Sequence, residues 1–134
     1  ASKMQFELQL FDGVNLTSYS LANKGKIYAD LLTRGCGFKY DPEGWSRDVD
    51  AGFYVADYFT AWSLEAQLRQ YLCDHFGSPD TLGEDWYTNP KAGEFLKTLW
   101  HDGNINQHAL SARLDYNDPY FTGPLVSLME RNLG

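Results

Sequence analysis

The chain has two cysteines, three histidines, no cluster of basic residues and no long uncharged run, and each shortage removes a class of function. The longest stretches without a charged side chain are Gly13 to Asn23 and Pro119 to Met129, 11 residues each. Roughly 20 apolar residues are needed to span a bilayer, so no transmembrane helix is expected and no membrane partner. The N-terminal Ala-Ser-Lys-Met-Gln-Phe-Glu has neither the basic start nor the apolar run of a secretory signal, which points to a cytoplasmic chain. Eleven basic against 18 acidic residues give a net charge of −7, so binding to a phosphate backbone by counterion release is unattractive. Nucleic acid is therefore not an expected partner. Cys36 and Cys73 are too few and too far apart for a disulfide scaffold or a cysteine-rich zinc site, and read as reduced thiols.

What remains is apolar material sufficient for a core, in 134 residues, which suits one domain. Helix punctuation is legible along the chain. Leu16, Thr17 and Ser18 precede a segment in which Leu21, Ile27, Tyr28, Leu31 and Leu32 recur at helical spacing, closed by Gly35 and Gly37. This predicts a helix over 18–34, after a short amphipathic lead-in over 3–10. Residues 38–45, rich in Gly, Pro, Asp and aromatics, read as an ordered loop whose rings plug into the core. The longest helix is expected over 51–76, with Tyr54, Tyr58, Ala61, Leu64, Leu68 and Leu72 on one apolar stripe, widened by Phe59 and Trp62 and stopped by Gly77. Asn89-Pro90 is a cap followed by proline at the first helical position, and opens a helix carrying Ala92, Phe95, Leu96, Leu99 and Trp100. Asn106 caps a short helix through Leu114, and Thr122 with Pro124 opens a last one. No apolar/polar alternation marks a strand. The fold class is all-α, a compact bundle of five or six helices around one long central helix.

The chemistry-bearing residues are sparse. A helical zinc site wants two histidines at i and i+4, whereas His75, His101 and His108 contain no such pair. Single helix-end histidines are the plainer reading. Glu65 on the long helix is a general-base candidate, but Arg69 stands four residues later in the favourable ion-pair orientation. Glu43, Asp48, Asp50 and Asp57 form an acidic approach without the register of a calcium loop. No Gly-x-Ser-x-Gly frame and no phosphate-binding glycine loop occur. The remaining feature is Tyr54 and Tyr58, one turn apart. A phenol facing a cleft donates a hydrogen bond to a developing oxyanion, while composition alone reads the pair as core.

Phe53-Tyr54-Val55-Ala56-Asp57-Tyr58, leading into Ala61-Trp62-Ser63-Leu64-Glu65-Ala66-Gln67-Leu68, resembles the C-terminal catalytic-domain helix of the oligoendopeptidase F and thimet oligopeptidase family. Phe6-Glu7, Tyr28-Ala29-Asp30-Leu31-Leu32, Trp45, and downstream Ala92-Gly93-Glu94-Phe95-Leu96 with Leu99-Trp100 fall in a similar order. The resemblance implies the C-terminal helical portion of a zinc peptidase acting on short peptides, with Tyr54 and Tyr58 as catalytic residues that polarise the scissile carbonyl and Phe53 and Trp62 as substrate contacts. The family's His-Glu-x-x-His is missing, as is the histidine shortly before the Phe-Tyr segment, where Trp45-Ser46-Arg47-Asp48-Val49-Asp50 stands. The chain therefore supplies no metal site. Zinc belongs to a complete family member, and this piece would be inactive alone, its partner being a zinc-motif-bearing segment or a second copy. The competing expectation is a non-enzymatic helical interaction domain whose aromatic stripe meets a protein partner. A small-molecule pocket among the tyrosine and tryptophan rings is a third.

Overall fold

The computed structural model describes residues 1–11, 18–50, 52–101 and 103–133, with only the backbone described for 18–22. The capping residues expected at Leu16 and Thr17, the side chains of Ser18 and Leu21, and Ala51 lie outside the described residues. The described residues are all-α: α1 (Ser2–Phe11), α2 (Ser18–Cys36), α3 (Trp45–Asp48), α4 (Val55–Phe76), α5 (Pro90–Trp100), α6 (Gln107–Arg113) and α7 (Gly123–Leu133), with 3-10 turns at Pro42–Gly44, Pro79–Thr81 and Trp86–Thr88. These seven exceed the five or six expected because the lead-in is a full helix and the loop before residue 50 contains the single turn α3. At 22 residues α4 is the longest. Among the described residues no helix is long and apolar enough to cross a membrane. The chain divides into two compact units, Ala1–Phe59 and Thr60–Gly134.

In the first unit, Tyr28, Leu31 and Leu32, three and four residues apart on α2, meet Phe6 of α1 in one buried cluster, against which Leu10, Ile27, Tyr40, Trp45 and Val49 pack. Phe6 meets Tyr28 edge-on, with ring centres 5.2 Å apart, and Trp45 at 6.5 Å. Two of the loop aromatics thus plug into the core as expected. Phe38 does not: it is exposed and stacks on the outside of Tyr40 at 5.0 Å. Gly25 lets α2 approach the 3-10 turn, since a β-carbon there would stand 2.7 Å from the Pro42 carbonyl oxygen. Buried Lys24 reaches from α2 to donate to the Gln9 carbonyl at 2.9 Å, satisfying the last turn of α1 with a cation where the helix dipole favours one.

The second unit is organised by capping and by a buried polar network. Asn89 accepts from the Lys91 amide at 3.1 Å, capping α5, while its own amide donates to the Phe76 carbonyl at 2.9 Å, closing α4. Asn106 caps α6 through the His108 amide. Asp85 accepts from the Ser78 amide and the Thr81 hydroxyl, which fastens the turn after α4 and holds its carboxyl below the usual range. Within this unit α4 buries Thr60, Ser63, Ala66, Gln67, Leu72 and Cys73. The expected apolar stripe holds only in part: Leu72 is buried and Leu64 and Leu68 are half-buried, but Tyr54, Tyr58, Ala61 and Trp62 are exposed, and Thr60, Ser63, Ala66 and Gln67 occupy the buried face. The reason is satisfaction of polar groups. Gln67 donates to the carbonyls of Asp118 and Phe121 at 3.0 and 3.1 Å and accepts from the buried Ser111 hydroxyl at 2.9 Å, so an amide is accommodated where apolar patterning expects leucine.

Candidate functional site

The candidate site lies in the first unit, where the end of α1 meets the segment leading into α4. That segment cannot be helical from residue 51 as expected, because Gly52 and Phe53 both hold left-handed backbone, with φ of +77° and +59°. Glycine accepts this conformation freely; for phenylalanine it costs on the order of 1–2 kcal/mol. Helix α4 accordingly starts at Val55, and its first amides are closed by the Phe53 and Tyr54 carbonyls. The turn stands Phe53 against Phe11 of α1, edge-to-face at 6.3 Å.

Between them opens a cleft of about 410 Å³ lined by Glu7, Leu8, Phe11, Gly52 and Phe53. Leu8 and Phe11 remain 52% and 54% exposed, so the apolar walls are open to an occupant. Glu7 differs in kind. It has no exposed surface, and neither carboxylate oxygen has a well-formed hydrogen bond among the described residues, the Asp50 amide only approaching it. Burial pushes its carboxyl above the ordinary value of 4.5, with the Lys3 ammonium and the Asp50 amide opposing and the Asp50 and Asp48 charges reinforcing. Lys3 lies 3.9 Å from Glu7, but it is closer to Asp48 at 3.5 Å and Asp50 at 3.1 Å. Although burial works against its charge, the hydrogen bonds and charges of these aspartates raise the Lys3 pKa and keep it cationic. Asp48 also accepts from Tyr28 at 2.9 Å, a phenol pushed up to about 12 by burial and then by this bond.

Two further clefts open on the second unit, one of about 570 Å³ lined by Phe95, Lys97, Thr98, Leu99, His101 and Arg113, the other of about 460 Å³ bordered by Cys73, Asp74, Ser78 and Arg131 among others. Of the three, only the first-unit cleft has a fully buried carboxylate in its lining.

The structure distributes the residues singled out from sequence. Phe53 lines the cleft. Tyr54 and Tyr58 are half-exposed and meet edge-to-face at 4.9 Å, and the charge and hydroxyl of Tyr58 hold the Tyr54 phenol above its ordinary value. Trp62 is exposed on α4. Glu65 is ion-paired with Arg69 at 2.9 Å. His75 contacts the Tyr71 carbonyl at 2.9 Å and lies 3.8 Å from Asp115. Among the described residues no three His, Cys, Asp or Glu side chains are placed to hold a metal ion. Sequence reasoning missed Glu7. The available signal was its position among Phe6, Leu10 and Phe11 on one short helix, with Lys3 one turn before it. No family model matches the chain, and neither does any curated protein or solved structure.

Proposed function

We propose that the chain is a non-enzymatic helical interaction domain whose first unit seats apolar side chains of a protein partner in the cleft between α1 and the Gly52–Phe53 turn. The observation that carries this reading is the open apolar wall: Leu8 and Phe11 stand half-exposed across from Phe53, held apart by a turn whose backbone is itself strained. Strain of this kind is retained where the surrounding structure uses it, and a cleft of this volume falls in the range of ligand sites, about 300–1,000 Å³. Burying two such side chains on binding contributes about 25 cal/mol per Å² of apolar surface removed from water, less the cost of association.

The experiment is a selection from a random peptide library on the immobilised full chain, followed by measurement of the enriched peptides against Phe11→Ser and Leu8→Ser variants. Both positions are exposed, so the substitutions leave the core intact. Enriched peptides that lose affinity for both variants support the reading. Absence of enrichment, or undiminished binding to the variants, overturns it.

A second reading has one observation in its favour, the accessibility of the Tyr54 and Tyr58 phenols. On that reading they form part of a peptide-cleft wall that a zinc-bearing segment completes, with their phenol hydroxyls as hydrogen-bond donors. Mixing the chain with a segment carrying His-Glu-x-x-His should then produce peptide cleavage, with Tyr58→Phe reducing turnover more than binding. No cleavage in the mixture removes this reading.

A further inference from the structure

Resting on the reading of the cleft as a partner site, we propose that its occupant is cationic: a lysine or arginine side chain of the partner seats its charge against Glu7, while the apolar residues flanking it lie on Leu8, Phe11 and Phe53. The inference comes from a charge imbalance behind an otherwise apolar cleft, whose lining includes Glu7 alone of the cluster. Three carboxylates, Glu7, Asp48 and Asp50, surround one ammonium, that of Lys3, which leaves the cluster two negative charges in excess when all are ionised. Lys3 is nearest Asp50 and farthest from Glu7, so the most buried carboxylate is the least compensated.

A buried carboxylate without hydrogen bonds is costly, and the cost is offset only by protonation or by a second cation. An ammonium or guanidinium brings both the missing charge and the donors for the two oxygens that lack them among the described residues. Each other class of occupant is disfavoured. An anion is repelled by the cluster, and a wholly apolar body brings Glu7 neither charge nor donors. A divalent ion lacks a ligand set, and Lys3 already stands between Asp48 and Asp50. The Phe11 and Phe53 rings add a face on which a cation or its methylene stem rests. Glu7 forms the floor rather than the mouth of the cleft, and in turning towards the occupant it exchanges the Lys3 ammonium at 3.9 Å and the approach of the Asp50 amide for a closer cation.

The test is calorimetric titration of the full chain with three capped tetrapeptides, identical in two phenylalanines and one leucine, whose remaining residue is lysine, norleucine or glutamate. The lysine peptide is expected to bind roughly ten-fold tighter than the norleucine peptide, with the glutamate peptide weakest of the three. In Glu7→Gln the advantage of lysine should shrink to about two-fold or less while norleucine binding holds. Where Glu7→Gln does not fold, Lys3→Gln serves instead: it removes the competing ammonium and should enlarge the preference for lysine. Equal binding of the lysine and norleucine peptides, or a preference that Glu7→Gln leaves intact or Lys3→Gln fails to enlarge, overturns the cationic occupant and leaves the interaction site standing. Binding of none of the three overturns both.

Discussion

Replacing Gln67 by leucine is the sharpest perturbation of the second unit, because size is nearly conserved while three hydrogen bonds disappear. The amide donates to the Asp118 and Phe121 carbonyls at 3.0 and 3.1 Å and accepts from Ser111 at 2.9 Å. At about 1 kcal/mol net for each bond the loss is about 3 kcal/mol, of which better burial of leucine returns about 1 kcal/mol, leaving a destabilisation of about 2 kcal/mol. For a chain of this length that lowers the melting temperature by on the order of 10 °C. Ser111 retains its second acceptor, the Tyr116 carbonyl at 3.3 Å, which keeps the cost from rising further. Urea denaturation followed by circular dichroism measures the change. A companion Gln67→Glu variant sharpens the test, since at neutral pH it sets a carboxylate against two carbonyl oxygens. Such a group has a raised folded-state pKa, so its stability is highest at low pH and falls as the pH rises and the proton leaves. A leucine variant as stable as the parent within about 0.5 kcal/mol, or a glutamate variant indifferent to pH between 4 and 7, would refute the buried network.

Phe53→Asn places a residue tolerant of left-handed backbone at φ +59°. Unfolding free energy should stay within about 1 kcal/mol of the parent or rise, while affinity for cleft-binding peptides drops; a loss above about 2 kcal/mol would show that Phe53 is a structural rather than a binding residue. Glu7 carries a pH signature of its own. Its folded-state pKa lies above 4.5, so its contribution to stability is fully present below that value and is lost as pH rises through the shifted one, with Lys3, Asp48 and Asp50 as the facing groups. Glu7→Gln should therefore gain stability relative to the parent on going from pH 4 to pH 7, as read by denaturation at each pH, and parallel curves would contradict the buried carboxylate. Asn89→Ala removes the bonds to Lys91 and Phe76 together and should cost about 1–2 kcal/mol, with faster hydrogen exchange both at the end of α4 and at the start of α5. Faster exchange in α5 alone would deny Asn89 its role in closing α4.

Local chemistry was legible in the sequence wherever a side chain acts on its own neighbourhood. Asn89 and Asn106 cap the helices they were expected to cap, and Glu65 pairs with Arg69 one turn away. Burial was not legible where polar groups satisfy one another at long range. Gln67 finds its partners 44 to 54 residues away, so nothing local marks α4 as burying an amide, and the apolar rule selects the exposed aromatics instead. The same limit hid Glu7, a carboxylate that reads as solvated on a short amphipathic helix and becomes interior only when α2 and the segment around Asp48 and Asp50 close over it. The left-handed turn at Phe53 was also unmarked, since an aromatic residue is a poor choice for that backbone and points to helix continuation.

The location of the occupant can be read directly by isotope-filtered nuclear magnetic resonance on the full chain with the lysine tetrapeptide. Contacts from the lysine methylenes to the Phe11 and Phe53 rings, together with a shift of the Glu7 carboxyl carbon on binding, are the expected result. Contacts confined to Tyr54 and Tyr58, or to the cleft lined by Phe95 and Arg113, with the Glu7 carboxyl unmoved, would contradict it.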